Sequence, residues 1–176
     1  MKELKLRHET KFQGRKLIIS TVPYGSGYET IAMRANGHDL ELVRTSSPEA
    51  AEAVHRGMLL NYLPLPHRRL VENLKEAFSQ AYEERHETDD GGTCNFDSPA
   101  ICLEGWQEYE VESVAYLANC GCYRWGGSRK SGFYHDFVFT SPFLAGQGNR
   151  RSAISERAVE ILTDHGWKAI EYCQMD

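Results

Sequence analysis

The sequence has no hydrophobic run that approaches the roughly 20 residues a membrane-spanning helix needs. Residues 1–12 also lack the apolar stretch of a secretory signal peptide. These two absences predict a cytoplasmic protein that has no membrane partner. Thiols stay reduced in that compartment, so the five cysteines are expected to be free, and their odd number leaves at least one unpaired in any compartment.

The familiar catalytic motifs are missing as well. The chain contains no Walker A loop, no His-Glu-x-x-His, no Gly-x-Ser-x-Gly and no paired Cys-x-x-Cys motifs. Each of these motifs would place a nucleophile, a base, a metal ligand or a phosphate-binding backbone. Their absence lowers the expectation of an enzyme and favours non-catalytic binding.

Positive charge is not in excess. The chain has 20 Lys and Arg against 25 Asp and Glu, a net charge of −5, whereas general phosphate-backbone binders are usually strongly basic. The imbalance lies in the second half, because residues 1–88 contain 13 basic and 12 acidic residues whereas residues 89–176 contain 7 and 13. An acidic half suits docking onto a basic protein surface, and it also suits solubility alone.

The first half contains strand and turn signals. Residues 16–21 form a short, largely β-branched run that is typical of a strand. Asn36-Gly37 lies between the segments 28–35 and 39–45. Asn-Gly accepts positive φ at both central positions of a turn, so it predicts a type I′ β-hairpin.

Two helices are predicted after this hairpin. Ser47-Pro48 has the residue types of an N-cap and a first helical position, and an apolar face that includes His55 follows at helical spacing. We interpret His55 as a hydrogen-bonded structural residue, because a single His on an apolar helical face usually has that role. A second amphipathic helix is predicted for 68–87, and we place a domain boundary after residue 88.

The second half, 89–176, shows the order strand, helix, strand, strand, helix, strand. The predicted segments are 94–103, 108–120, 122–125, 133–140, 152–165 and 167–174. The expected class is α+β, with a β-hairpin, strands and two helices in the first half and a ferredoxin-like βαββαβ sandwich in the second. The open face of that sandwich would be covered by the first half, a second copy in a homodimer, or another partner.

Chain direction in this topology places four loops at one end of the second half. These loops are 89–94, 120–122, 146–151 and 173–176. The acidic residues Asp89, Asp90 and Asp97 belong to the same candidate site. Three kinds of chemistry are considered for this end.

The first kind is a zinc site. Zinc favours four thiolates in a tetrahedron, and the candidate ligands are Cys94, Cys120, Cys122 and Cys173. Against this set, Cys-x-Cys is not the usual spacing, and the first two strands of the sandwich would lie about 10 Å apart with another strand between them. The alternative is that these cysteines are small buried hydrophobic residues. No cofactor is the main expectation, with zinc as the one alternative.

The second kind is an anion site at the start of the last helix, built from Gly146, Gln147, Gly148, Asn149, Arg150 and Arg151. Helix N-termini expose unpaired N–H groups, and two arginines add charge. The alternative is a loop whose arginines pair with nearby aspartates. The third kind, Cys94 as a nucleophile with His135 or His165 as base, is disfavoured because the topology places neither histidine well.

The segment 28–58 contains a pattern of residues that is similar to one found in other proteins. Tyr28-Glu29-Thr30, the hairpin, and then Glu49-Ala50 leading to His55 and Met58 form its matching positions. In this pattern the segment resembles small uncharacterised proteins of phages and mobile elements. The resemblance implies a mobile-element origin and carries no known chemistry.

These observations predict a non-catalytic binding protein of mobile-element type. The concrete hypothesis is an inhibitor of a host defence nuclease, whose basic nucleic-acid channel would meet the acidic half of this chain. Two alternatives stay open. One is a nucleic-acid or phosphate-ligand binding module that uses 146–151, and the other is a zinc- or Cys-dependent enzyme.

Overall fold

The structure is a computed structural model that describes residues 4–89, 91–92, 97–125, 136–144 and 148–173. The chain divides into two compact units, Met1–Arg68 and Arg69–Asp176. Both units contain helices and antiparallel sheet, so the predicted α+β class is confirmed. No helix in the described ranges is both long enough and apolar enough to cross a membrane.

The first unit is a four-stranded antiparallel sheet followed by a helix. The strands pair in chain order, and they and the helix are β1 (Leu6–Phe12), β2 (Arg15–Tyr24), β3 (Gly27–Arg34), β4 (Asp39–Thr45) and α1 (Pro48–Tyr62). Strand β1 was not predicted from the sequence. Its inward side chains include His8 and Thr10, which pair with Ile19 and Leu17 of β2, so the apolar alternation that normally marks a strand is hidden.

The hairpin between β3 and β4 lies at the predicted place but has a different turn. Gly37 has a φ of +83°, and Asn36 does not share this positive φ. The Gly37 N–H donates to the Arg34 carbonyl at 2.9 Å, and the Arg34 N–H donates to the His38 carbonyl at 2.8 Å. The loop is therefore three residues long and ends in a left-handed glycine, and the type I′ prediction is wrong.

Helix α1 begins as the sequence predicted. Ser47 is the N-cap with extended backbone, and its Oγ accepts a hydrogen bond from the Ala50 N–H at 3.2 Å. Pro48 follows at the first helical position, where the missing N–H costs nothing. The buried face consists of Ala51, His55, Met58 and Leu59, and it packs against the sheet.

Replacing Ser47 with Ala is expected to lower the free energy of unfolding of the first unit by about 1 kcal/mol, because one N–H of the first turn then loses its acceptor. Hydrogen exchange of the α1 amides measures this loss. Ser46→Ala is the matched control, since Ser46 is exposed and precedes the cap. Equal losses in the two variants would contradict the cap assignment.

The second unit contains most of the second helix, a short 3-10 helix (Tyr82–His86) and a four-stranded sheet. Its elements are α2 (Leu65–Ala81), β5 (Ser98–Cys102), α3 (Glu108–Ala118), β6 (Gly121–Arg124), β7 (Asp136–Thr140), α4 (Gly148–Asp164) and β8 (Ala169–Tyr172). The predicted order of strands and helices is thus confirmed. The compact units divide after Arg68 rather than at the predicted residue 88, because α2 lies almost wholly in the second unit.

The sheet of the second unit has the strand order β6-β7-β5-β8, and its three neighbouring pairs are antiparallel. Strands β5 and β6, which α3 connects, are separated by β7, as the sequence predicted. Helix α4 packs on β5 and β8, and α3 packs on β6. The fully buried residues include Ile101, Val138 and Phe139 of the two central strands and Ile154 and Leu162 of α4.

Helix α3 ends earlier than predicted. Its last residue is Ala118, and Asn119 follows in left-handed conformation with a φ of +57°. Gly121 is already the first residue of β6. Asn is the residue that best replaces Gly in the left-handed region, which explains the shift.

Candidate functional site

The candidate site lies at one end of the sheet in the second unit, where several chain segments meet. Asp97 precedes β5, Cys173 follows β8, and the pairing of Ser98 with Tyr172 brings these two strand ends side by side. The first residues of α4 contact the segment before β5 at the same end. Described residues of three of the four predicted loops, 89–94, 146–151 and 173–176, therefore meet here, whereas loop 120–122 lies at β6, the other edge of the sheet.

Asn149 connects the two segments. Its side-chain Nδ2 donates to Asp89 Oδ1 at 3.1 Å, and its backbone N–H donates to the Gly91 carbonyl at 2.8 Å. The bond from Asn149 and a second one from the Gly91 N–H lower the pKa of the Asp89 carboxyl. These bonds fasten the segment before β5 onto the first turn of α4.

The close packing of Gly148 against the backbone of Gly91 requires a glycine at position 148. A Cβ atom on Gly148 would lie 2.1 Å from the Gly91 carbonyl oxygen, and the residue has a φ of +50°. Its small size therefore serves contact with another backbone segment of the same unit. Four predicted site residues, Gly146, Gln147, Asp90 and Cys94, lie outside the described residues.

The two arginines of the predicted anion site bind backbone carbonyls. Arg150 Nε donates to the Thr88 carbonyl at 3.1 Å, and Arg151 Nε donates to the Asp97 carbonyl at 3.1 Å. Both side chains thus fix the segment before β5 against α4. This agrees with the structural alternative to anion binding, and the charge of Arg150 also contributes to the lowered pKa of Asp89.

The four-cysteine zinc site is not formed by the described cysteines. Cys120 and Cys122 lie at β6, one edge of the sheet, and Cys173 follows β8, the other edge. Two strands lie between the edges, which separates them by about 14 Å. Thiolates bound to one zinc ion each lie about 2.3 Å from it. Cys120 and Cys122 therefore do not share an ion with Cys173, and the predicted set is wrong.

Cys120 and Cys122 behave as partly buried thiols. The Cys120 thiol donates to the Ala115 carbonyl at 3.6 Å, and burial together with the nearby Cys122 raises its pKa to about 12. Burial, followed by Glu112 and Glu108, raises the pKa of Cys122 to about 11. Both thiols are neutral at pH 7, in agreement with the alternative of small hydrophobic residues.

A different cluster forms at the same end of the sheet. Asp97, Glu171 and Cys173 each offer one ligand atom, and these three atoms all lie within 4.8 Å of one another. Asp97 is 1% exposed, and its Oδ2 accepts a short hydrogen bond from the Ser152 hydroxyl. Asp97 Oδ1 has no hydrogen-bond partner among the described residues.

The electrostatics of this cluster disfavour negative charge. Burial raises the pKa of Glu171, and the neighbouring Glu156 and Asp97 raise it further. Partial burial of the Cys173 thiol, followed by Glu171 and Asp97, raises the pKa of that thiol to about 11. Cys173 is therefore neutral at pH 7 unless a cation joins the cluster, and it is no activated nucleophile.

Glu171 was not predicted as a site residue, although the sequence contains a usable signal. Glu171 and Cys173 are two residues apart at the end of a strand, and side chains at this spacing point to the same sheet face. Ser155 was also missed. It lies on α4, and only the packing of α4 against β8 brings its hydroxyl beside the Glu171 carboxyl.

His55 has the structural role that the sequence predicted. It is fully buried, its Nδ1 lies 2.9 Å from the Thr21 hydroxyl, and its Nε2 lies 2.9 Å from His8 Nδ1. Thr21 in turn lies 2.8 Å from the Thr30 hydroxyl. Burial, then His8 and Arg56, lower the pKa of His55 to about 4.

The sheet of the first unit has one face that does not pack on α1. Strand β2 turns Leu17, Ile19 and Thr21 inward, so Val22 and its alternate neighbours point to the opposite face. On this open face, Val22 is 41% exposed and Leu42 is 45% exposed. Lys16 donates to Glu9 at 2.5 Å and Arg44 donates to Glu29 at 3.0 Å, which places paired charges around the apolar centre.

The chain was compared with protein families, curated proteins and solved structures. No protein-family model, curated protein or solved structure matches the chain.

Proposed function

We propose that the protein is a non-catalytic protein-binding module that uses the open sheet face of the first unit. The exposure of Val22 and Leu42, at 41% and 45%, is the observation that carries this proposal. Apolar side chains collected on one surface and surrounded by polar residues are typical of protein contact sites.

The apolar side chains of this face are neighbours across the strands. Ile31 of β3 pairs with Leu42 of β4, and Ile18 of β2 pairs with Met33 of β3. Directly opposite residues in antiparallel strands have Cβ atoms about 4.5–5.5 Å apart, and Val22, which lies opposite Glu29, is a diagonal neighbour of Ile31 at about 7–8 Å. We name Ile18, Val22, Ile31, Met33 and Leu42 the sheet patch.

The rim of the sheet patch is suited to burial by a partner. Glu9 is paired with Lys16 and with Arg7, and Glu29 is paired with Arg44. A partner that covers the patch therefore meets charges that already neutralise each other. Burial then avoids the large cost of an unpaired charge, and the apolar contact supplies the affinity.

The mobile-element resemblance and the acidic second half specify the partner further. We propose that it is a host protein with a basic nucleic-acid channel, such as a defence nuclease, and that the encounter takes place in the cytoplasm. Glu84 and the exposed Glu156 and Glu160 share a surface of the second unit with Arg157, which pairs with Glu84 and Glu160, so three acidic groups and one basic group leave a net charge of −2 there. Opposite charge on the partner would accelerate association.

We also propose that the second unit has a ferredoxin-like arrangement. Its support is the strand order β6-β7-β5-β8, with antiparallel neighbours and a helix after each of β5 and β7. This order matches that of a split βαβ unit, in which two βαβ crossovers interleave in one sheet.

Replacing Leu42 with Asp is expected to weaken partner binding at least about 30-fold, since a charge then lies in the apolar centre and about 2 kcal/mol or more is lost. The protein is immobilised, and proteins captured from an extract of its native host are quantified by mass spectrometry. Leu65→Asp is the matched control, because Leu65 is 78% exposed and lies outside the sheet patch.

The expected result is a partner captured by the wild type and by Leu65→Asp and lost with Leu42→Asp, while both variants keep the wild-type melting temperature. Repeating the capture at rising salt tests the acidic surface, because binding to a basic channel should weaken steeply. Equal capture by both variants would contradict the sheet patch. Capture of nucleic acid alone, lost when Arg150 and Arg151 are both replaced by Ala, would favour the alternative of a nucleic-acid binder.

A further inference from the structure

The cluster of Asp97, Glu171 and Cys173 brings together three metal-ligating side chains from distant parts of the chain. Register explains the geometry: Ser98 pairs with Tyr172 and Pro99 pairs with Glu171, so Asp97 and Cys173 flank the same end of the β5–β8 ladder. Two carboxylates and one thiol thereby offer ligand atoms that lie within 4.8 Å of one another.

A second observation concerns buried oxygens at this cluster. Asp97 Oδ1 and Glu171 Oε1 are buried and have no hydrogen-bond partner among the described residues. The Ser155 hydroxyl is also buried, and it lies beside the Glu171 carboxyl, where it and the Cys173 thiol favour the ionised form of that carboxyl. A buried carboxylate oxygen without a donor is unfavourable, and it calls for a positively charged or protonated group.

We propose that Asp97, Glu171 and Cys173 bind one divalent metal ion, with zinc as the preferred ion. Two carboxylate oxygens and one thiolate are ligand types that zinc accepts, at about 2.0–2.2 Å for oxygen and 2.3 Å for sulfur. The thiolate disfavours calcium and magnesium, which bind oxygen ligands. Three protein ligands leave the fourth position of the tetrahedron for water or for the nearby Ser155 hydroxyl.

The ligand atoms need only a small movement to reach this geometry. In a zinc tetrahedron with these bond lengths, neighbouring ligand atoms lie about 3.3–3.7 Å apart, so the cluster contracts by at most about 1.5 Å. Cys173 lies at the end of β8 and is exposed, so its side chain can rotate toward the ion. Ser152 holds Asp97 through Oδ2 and leaves Oδ1 for the ion.

Binding involves one proton transfer. The neutral Cys173 thiol becomes a thiolate as its sulfur bonds to the ion, and its proton passes to the solvent. Zinc uptake near pH 7 should therefore release the thiol proton, and affinity should rise with pH.

The test is zinc titration of the metal-free protein, followed by calorimetry and by native mass spectrometry. The wild type is expected to bind one zinc ion per chain. Cys173→Ser and Glu171→Gln are each expected to weaken binding about tenfold or more. Cys122→Ser is the matched control: it removes a thiol from the opposite sheet edge and should leave zinc affinity unchanged.

Cobalt substitution gives a second readout that does not depend on stability. Cobalt bound by the wild type should show a thiolate-to-metal charge-transfer band, which Cys173→Ser removes and Cys122→Ser retains. Proton release measured with a pH indicator should likewise fall in Cys173→Ser. The proposal is overturned when the wild type takes up no zinc, or when Cys122→Ser loses as much affinity as Cys173→Ser. It is independent of the protein-binding proposal.

Discussion

Replacing Ile161 with Asp is expected to unfold the second unit under conditions in which the wild type is folded. Ile161 is 5% exposed and lies on the buried face of α4 with Ile154 and Ala158. The variant loses roughly 1.5–3 kcal/mol of apolar burial and in addition buries a carboxyl group without a partner. The combined loss of at least about 4 kcal/mol is a large part of the stability of a unit of this size.

Tryptophan fluorescence measures this effect on the second unit alone, because Trp106, Trp125 and Trp167 all lie in it. The melting temperature should fall by about 15 °C or more, or the cooperative transition should disappear. Thr163→Asp is the matched control, since Thr163 is an exposed residue of the same helix. A wild-type melting temperature in Ile161→Asp would show that α4 is not packed as described.

Acidification from about pH 6.5 to about pH 4 is expected to destabilise the first unit by about 3 kcal/mol. The pKa of His55 is about 4 in the folded unit, against 6.5 in the unfolded chain, chiefly because the ring is buried. The unfolded chain then binds the proton more tightly. The stability is therefore complete above pH 6.5 and is lost as the pH falls toward 4.

Two neighbours reinforce this dependence. His8 contacts the His55 ring and has a lowered pKa of its own, owing to burial and Arg56. Arg56, the other charged group that acts on the ring, is positive at all these pH values and disfavours a second charge. Protonation of His55 makes both of its ring nitrogens donors, so one of its two bonds, to Thr21 or to His8, must reverse its direction.

Hydrogen exchange of the β2 and β3 amides, corrected for intrinsic rates, measures the free energy of opening across this pH range. His55→Gln should abolish most of the dependence, because the amide does not titrate. His38→Gln is the control, since His38 is exposed in the same unit and should leave the dependence unchanged. Identical pH profiles for the wild type and His55→Gln would refute the assignment.

The sequence predicted the secondary-structure elements of the second unit better than it predicted the contacts between their side chains. Periodicity and turn residues predicted each α-helix and strand that the structure describes there, because each of these elements carries its own local signal. The end of α3 was misplaced because Asn119 rather than a glycine adopts the left-handed conformation. Strand β1 was not predicted because two of its inward-facing residues are polar. Thr10 is buried, and His8 makes a hydrogen bond to His55, so neither gives the apolar signal of a strand.

The side-chain contacts of the candidate site could not be predicted from local sequence patterns. Chain direction predicted that the segment before β5, the start of α4 and the end of β8 meet, which brings Asp97 and Cys173 to the same end of the sheet. It did not predict which side chains contact each other, since that depends on strand register and on the packing of α4. For this reason Glu171 was missed, and Cys120 was grouped with a cysteine at the opposite edge of the sheet.

Hydroxyl-radical footprinting of the protein, alone and bound to the partner captured from host extract, tests the central claim most directly. The account predicts that Met33 and Leu42 of the sheet patch become protected in the complex. Met58, which is buried in the free protein, serves as an internal reference that should not change. Protection confined to the second unit, with Met33 and Leu42 as reactive as in the free protein, would contradict the claim.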